Sequence, residues 1–366
     1  MTRVAILNSR QSKTPVGNDP WVKSTVAAAQ FATAQGWTVV SSIGLNTWEL
    51  VTWAVARAGG QIELVLPKPK NERKEIVVAA LTEDFELEPA KTSWHWIEST
   101  QSRRSAKSWW ADRDREAVDR ADMLLPVSVR PNGELSKLIA AHSGTRAVDT
   151  RFQVRYAPTA NHSRTLVDAS QLSDSVKAWD GDWLIHWTRA CHGPWPGETR
   201  ARFYADLVDS RDGYCRSALN TLRRMLAEKS IRASSWRIAK GQPVIAFTER
   251  SPYDSLPLMR WRARWARWSF EPYGIAISKA WAITNGVRPV RYVTENEWRE
   301  LPAKEKPLCH RRGELPDLWP AEREWRHRGD LSFKAVPTDA LRLIVLDASE
   351  KFRLEDRTEV RVVSFT

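Results

Sequence analysis

Three short stretches in the C-terminal half of the chain carry residue types that could do acid–base or group-transfer chemistry. The first is "AEREWRHRGDLSF" at Ala321–Phe333. As a strand, its alternation puts Glu322, Glu324 and Arg326 on one face and Arg323, Trp325 and His327 on the other. Two carboxylates on one face repel, so they need either the Arg326 partner or a use, and one of them is a candidate for a raised pKa. The second is "LIHWTRA" at Leu184–Ala190, where His186 and Thr188 share a strand face. His186 reads equally as a half-buried strand histidine. The third is "GQPVIAFTERSP" at Gly241–Pro252, an apolar strand ending in Thr248-Glu249-Arg250. Those are natural site residues and natural loop residues alike. Asp254, just beyond, is a further carboxylate.

A fourth stretch, Met259–Trp281, suits binding. Trp261, Trp265 and Trp268 fall at i, i+4 and i+7, which predicts one aromatic stripe of a helix. Arg260, Arg264 and Arg267 follow the same spacing on an adjacent stripe, either a phosphate-tracking edge or a solvated arginine face. Glu271-Pro272-Tyr273-Gly274 then turns into a strand at Ile275–Ile277, with Lys279 after it.

The elements that would position these residues differ between the halves. Val4–Leu7, Trp37–Ser41 and Ile62–Leu66 are short apolar runs that read as strands. Between them lie helical stretches from Pro20 to Gln35, with Asp19 as its cap, and from Thr47 to Ala58. Strand–helix–strand alternation at this pitch predicts a parallel sheet with right-handed crossovers over residues 1–150, an α/β Rossmann-like domain. Ser9, Arg10, Ser42, Gly44 and Arg130 fall on loops at the carboxyl ends of those strands, where helix N-termini favour phosphate. Residues 68–120 read as a charged, irregular connection. Within it Trp109 and Trp110 follow Arg103, Arg104 and Lys107, either a base-stacking patch or a charged surface loop. A polar stretch places the domain boundary near 150–175. The remainder, 175–366, does not alternate cleanly and has one clear helix at Ser217–Glu228, which predicts an α+β domain.

Composition narrows the class. The chain has 366 residues, a net charge of +12 and 20 tryptophans. Residues 1–170 hold 22 basic and 18 acidic side chains and the rest 34 and 26, so the C-terminal part carries more of the excess. That points to a polyanion, nucleic acid first. Three cysteines make no disulfide framework, and Cys191-His192, Cys215 and Cys309-His310 match no standard zinc spacing. No metal is expected. No long apolar run is present, and the default compartment is the cytoplasm. The chain lacks the G-x-G-x-x-G, P-loop and G-x-S-x-G motifs.

"VAILNSR" at Val4–Arg10, "GWTVVSSIG" at Gly36–Gly44, "AVARAGGQIELVLP" at Ala54–Pro67 and "ADMLLPVSVRPNGELSKLI" at Ala121–Ile139 resemble the DprA/SLOG superfamily. That resemblance implies a Rossmann-like domain binding single-stranded DNA, nucleotides or nucleotide-derived signals at the loops named above. In the second half, His-x-Thr at His186–Thr188, "AFTE", "EPYGIAISKAWAITNGVRPVRY" and "EREWR" resemble the AbiGi-type phage-resistance domain. More distantly they resemble ADP-ribosyltransferase-like toxins such as DarT. That second resemblance implies cleavage of an N-glycosidic bond, with His186, Tyr273 and Glu324 in the catalytic roles and Glu322 and Glu249 as rival carboxylates. Two enzyme readings follow: an anti-phage DNA base glycosylase without a cofactor, and an NAD-dependent ADP-ribosyltransferase acting on DNA. A reading from another class is a non-catalytic sensor of nucleic acid or nucleotide, in which His186 and Glu324 are structural.

Overall fold

The computed structural model describes all residues except 44–46, 69–72, 98–105, 158–166, 236–241, 264–266, 313–318 and 356–358, and the side chains of 106–112, 319–320 and 355. It divides into two units. Unit 1 comprises 1–160 and 192–215, and unit 2 comprises 161–191 and 216–366.

Unit 1 is built on β1 (Arg3–Asn8), α1 (Pro20–Ala34), β2 (Thr38–Ser42), α2 (Trp48–Arg57), β3 (Gln61–Pro67), α3 (Lys74–Phe85), β4 (Thr92–Ile97), α4 (Ala106–Arg120), β5 (Met123–Ser128), α5 (Glu134–His142) and β6 (Ala147–Val148). The six strands form one parallel sheet in the order β4-β3-β2-β1-β5-β6. Val4, Ala5, Val39, Val40, Leu64, Val65, Leu124 and Leu125 are buried, as strands covered on both faces by helices require. The direction of winding reverses between β1 and β5, and there the register slips so that Leu7 faces Pro126 while Asn8 faces Ser128. The expected Rossmann-like sheet is present, with three corrections. Residues 68–120 are not merely connecting chain: they supply α3, β4 and α4. Asp19 does not cap α1 through its side chain; its carboxylate accepts from the Val16 N–H at 3.0 Å, fixing the preceding turn. Thr47, whose residue type and place suit it to cap α2, likewise makes no side-chain bond to that helix.

After unit 1 come α6 (Asp174–Lys177) and β7 (Trp183–Trp187), then α7 (Arg200–Asp209). Although it follows β7, α7 belongs to unit 1. Arg200 pairs there with Glu49 of α2 at 3.0 Å and with Asp84 of α3, and Tyr204 donates to Glu49 at 2.9 Å. Gly17 sits under the end of α7, its N–H bonded to Ser210 at 3.0 Å. An added Cβ there would lie 2.2 Å from the Val208 carbonyl, so only glycine fits.

Unit 2 continues with α8 (Ala218–Glu228), β8 (Ser230–Ile231), β9 (Val244–Thr248), α9 (Pro252–Ser255), β10 (Trp261–Arg262), β11 (Arg267–Trp268), β12 (Gly274–Ser278), α10 (Lys279–Thr284), β13 (Arg288–Pro289), β14 (Arg291–Val293), α11 (Glu295–Glu300), β15 (Cys309–Arg311), β16 (Glu324–Arg328), β17 (Leu331–Ser332), β18 (Leu341–Val345), α12 (Ala348–Glu355) and β19 (Arg361–Ser364). Seven strands form one mixed sheet in the order β13-β16-β9-β7-β12-β18-β19. Within it, among the described residues, only β18 and β19 pair in parallel. Residues alternate between two cores. Leu184, Ile245, Phe247, Ile275 and Leu343 pack with Leu222 of α8 on one face. Trp183, Ile185, Ala276 and Ile344 pack with Val176 of α6 on the other. The α+β expectation holds, and α8 starts after Ser217, whose hydroxyl accepts the Asn220 N–H.

Of the stretch Met259–Trp281, the strand expected at Ile275–Ile277 is present as β12, but the expected helical stripe across Arg260–Trp268 does not form. That region is instead the antiparallel pair β10–β11, a hairpin with Trp261 paired to Trp268 and Arg262 to Arg267. The two indoles meet edge-on, their centroids 5.8 Å apart. Aromatic side chains gain as much from cross-strand pairing as from a helical stripe, and a seven-residue spacing satisfies both.

Candidate active site

In unit 2 the end of β9 and the start of β16 are held together by three successive carbonyls. The Arg250 guanidinium donates to the Ala321 carbonyl, the Thr248 hydroxyl to Glu322 at 2.5 Å, and the Glu249 N–H to Arg323 at 3.2 Å. The Thr248-Glu249-Arg250 string therefore acts as a clamp on the segment carrying the paired acids. Within that segment the strand starts only at Glu324. Glu322 closes a 3-10 turn at Trp319–Glu322, and Arg323 has φ +46°, the left-handed region that side chains other than glycine enter at a cost. Glu322, Glu324 and Arg326 are thus not three positions of one regular strand, contrary to the alternation of the sequence. The kink at Arg323 gives Glu322 its own direction.

The two carboxyls live in different surroundings. Glu324 is bound at both oxygens by Arg326, at 2.7 and 3.0 Å, with both side chains nearly covered, 12% and 8% exposed. Arg326 also donates to the Pro307 and Cys309 carbonyls, so the guanidinium that clasps Glu324 is itself anchored by the backbone. For Glu322, burial and then the nearby Glu324 charge push the pKa up to about 7, while Arg262, Arg260 and Arg326 oppose the shift. Tyr292 of β14 stands by the same pair. Burial, Glu324 and Glu322 push its phenol up to about 12, so it stays a neutral hydroxyl. The arrangement is one proton-holding carboxyl beside one fixed carboxylate, with arginines at its rim.

The other expected catalytic residues do not join this cluster. Phe247 and Trp325 belong to the face that packs on Leu222, so Glu324, next to Trp325, projects from the opposite face. His186 lies on the Phe247 side, its ring edge-on to Phe247 at 5.7 Å and its Nδ1 bonded to the Ala246 carbonyl at 2.8 Å. Burial pushes its pKa down to about 4, so it is neutral and Nδ1 donates. Tyr273 precedes β12 and donates to Glu350 of α12 at 3.1 Å; burial raises its pKa. Thr188 is buried and directs its hydroxyl to the Ala218 and Tyr273 carbonyls, at 3.0 and 3.1 Å, a structural role. The expected His186–Tyr273–Glu324 set is therefore spread over two faces. Glu249 is an ion-pair partner: Lys279 reaches it at 2.5 Å and the Trp325 indole N–H at 3.2 Å, and Lys279 holds its pKa down. Lys279, expected to face nucleic acid, is committed to that pair. Asp254 is exposed and accepts from the Ser251 hydroxyl at the start of α9.

Of the expected nucleic-acid contacts, Arg260 is exposed and Arg267 sits on the hairpin opposite Arg262. Arg264 lies outside the described residues, as do Gly44 and the Trp109 and Trp110 side chains. In unit 1, Ser9 and Arg130 meet where the sheet reverses: the Ser9 hydroxyl accepts the Arg130 N–H at 2.9 Å, and the Ser9 N–H reaches Ser128 at 2.8 Å. Asn8 braces the same junction through Thr25 and the Ser128 N–H, at 3.0 and 3.2 Å. Arg10 and Arg130 flank that junction, both exposed, at the place where open α/β sheets take ligands. Ser42 instead donates to Asp114 of α4 at 3.1 Å, a carboxyl that burial pushes up to about 6. Sequence reasoning missed Asp114, Tyr292 and Arg262. The first two lie on elements read as connecting chain or left unread, and Arg262 was hidden by the assumed helical period.

No protein-family profile matches the chain, and no curated protein matches its sequence. Solved structures similar to it include DNA processing protein A (DprA) from Helicobacter pylori, described by its single-stranded DNA binding mode, at 11% identity and a TM-score of 0.28 over 40% of this chain and 64% of that one. DprA from Streptococcus pneumoniae gives 14% and 0.30, over 40% and 49%. The molybdenum cofactor carrier protein of Chlamydomonas reinhardtii gives 13% and 0.26, over 40% and 74%. The matched part thus spans less than two thirds of either DprA chain. The Rossmann-like description of unit 1 rests on its own strand order. Among the described residues no helix is long and apolar enough to cross a membrane, and no cluster of His, Cys, Asp or Glu could hold a metal ion.

Proposed function

We propose that unit 2 hydrolyses an N-glycosidic bond in DNA, releasing a base and leaving an abasic site, and that unit 1 helps hold the nucleic acid. The observation that carries this reading is the Glu322–Glu324 pair, one carboxyl clasped at both oxygens by Arg326 and the other turned away from it by the Arg323 kink, within reach of the Arg260 and Arg262 charges. Glycosidic cleavage asks for this division. Glu322, protonated near neutral pH, gives its proton to the departing base. Glu324, an anion pinned by Arg326, offsets the positive charge growing at C1′. Water then adds to C1′, its proton returning to Glu322, which balances the reaction. Arg260 and Arg262 serve the phosphates on either side. A duplex substrate requires the base to leave the stack before it can reach these groups.

The deciding experiment is incubation of the full chain with phage DNA and with host DNA, with and without NAD, followed by mass spectrometry of released small molecules. Free base without NAD supports the glycosylase reading, and release from phage DNA alone supports a defence role. Nicotinamide release with mass added to DNA moves the assignment to an ADP-ribosyltransferase using NAD. DNA binding with no release in either arm leaves a non-catalytic sensor.

A further inference from the structure

In unit 1, α3 is a twelve-residue helix of which only Phe85 is buried. Ile76, Ala79, Ala80 and Glu83, spaced i, i+3, i+4 and i+7, form an exposed stripe along it, and Ile76 is 58% exposed. Beside the stripe an open cleft of about 620 Å³ runs along α3, lined by Val78, Ala79, Thr82 and Glu83, with Trp96 of β4 as its wall. The Lys74 ammonium sits 5.3 Å from the Trp96 ring centre. β4 ends the sheet, so no further strand among the described residues covers this flank.

The charges on α3 say what fits there. Arg73 and Lys74 stand at its N-terminal end with Glu75 after them, and Glu83, Asp84 and Glu86 at its C-terminal end, where Asp84 is already paired with Arg200. The excess of cation at the N-terminus and of anion at the C-terminus opposes the helix dipole, so this order disfavours the helix standing alone. An antiparallel copy of the same helix reverses the balance, because each basic end then meets an acidic end, twice, about a two-fold axis. We propose that α3 is the contact between two copies of this chain, crossing antiparallel at Ala79–Ala80. The small side chains there let the helix axes approach to roughly 8 Å. Crossing at that point sets Ile76 of the second copy opposite Glu83, over the cleft between Ala79 and Thr82, and sets Arg73 opposite Glu86 of the second copy.

The test is the mass of the full chain by light scattering at tens of micromolar. The wild type is expected to be a dimer and Ala80→Glu a monomer with an unchanged circular dichroism spectrum. The double variants Arg73→Glu/Lys74→Glu and Glu83→Lys/Glu86→Lys, at positions exposed except for the half-buried Lys74, each place like charges across the axis and are expected to be monomers. Mixed in equal amounts they are expected to form a dimer, because each then offers what the other lacks. A monomeric wild type overturns the proposal, as does a dimeric Ala80→Glu or the absence of association on mixing. Should Ala80→Glu fail to fold, the mixing result decides alone.

Discussion

Glu322 and Glu324 are separated by one residue and by the Arg326 clasp that only Glu324 receives, and substitution distinguishes them. Glu322→Gln removes the proton donor and is expected to lower turnover on the order of 10²- to 10⁴-fold at saturating DNA. The wild-type rate is expected to fall as pH rises through about 7, because the Glu322 pKa lies there. Glu324→Gln removes the neighbouring charge that raises the Glu322 pKa, so the fall of the residual activity with rising pH should move to lower pH, while turnover drops on the order of 10³-fold. A pH–rate profile of each variant checks both statements; identical profiles would merge the two roles. The raised Glu322 pKa also bears on folding. The folded state holds this proton more tightly than the unfolded chain, whose carboxyl titrates at its ordinary value near 4.5. Stability contributed by this group is therefore greatest below pH 4.5 and falls as pH rises towards 7. Relative to wild type, Glu322→Gln is expected to gain stability across that window, read as the difference in urea midpoint between pH 4.5 and 7.5.

The β10–β11 hairpin and the Arg323 kink show which elements a sequence announces. If the hairpin presents arginines to phosphate, Arg260→Gln/Arg262→Gln should flatten the plot of log affinity against log salt by at most about 2 units, near 0.9 for each phosphate that is no longer neutralised. A fluorescence-anisotropy titration at several salt concentrations measures this, and an unchanged slope removes the hairpin from the interface. The parallel strands of unit 1 were legible because burial on both faces makes each a continuous apolar run, as in Val4–Leu7 and Ile62–Leu66. α3 and α4 were not, because α3 is mostly uncovered and α4 is dense in charge, so neither shows a strong apolar period. The hairpin was misread because Trp261 and Trp268 fit a helical spacing as well as a cross-strand pair. In the candidate site the carboxylates and Arg326 were legible as residue types. Their geometry was not, since the left-handed turn at Arg323 and the pairing of Glu324 with Thr248 follow from tertiary contact with β9.

At the scale of the molecule, the proposed division of labour predicts that Arg10→Ala and Arg130→Ala weaken DNA affinity while the rate at saturation stays near wild type. A loss confined to the saturated rate would place chemistry in unit 1. The units are also not consecutive pieces of chain. Without α7, α2 loses the Arg200 and Tyr204 partners of Glu49 and the ring packing of Trp53 with Tyr204. A fragment of residues 1–160 is accordingly expected to melt several degrees below a fragment of residues 1–215 in the same buffer. This interleaving sets an order of events on the ribosome. β7 is synthesised before α7, so unit 1 is still incomplete when Trp183–Trp187 emerges. The strands that flank β7, β9 and β12, are not made until residues 248 and 278. At roughly 5–20 residues per second, this apolar ribbon waits several seconds with both edges open. During that interval it is a natural target for a chaperone, and translation speed across residues 188–278 becomes a determinant of yield.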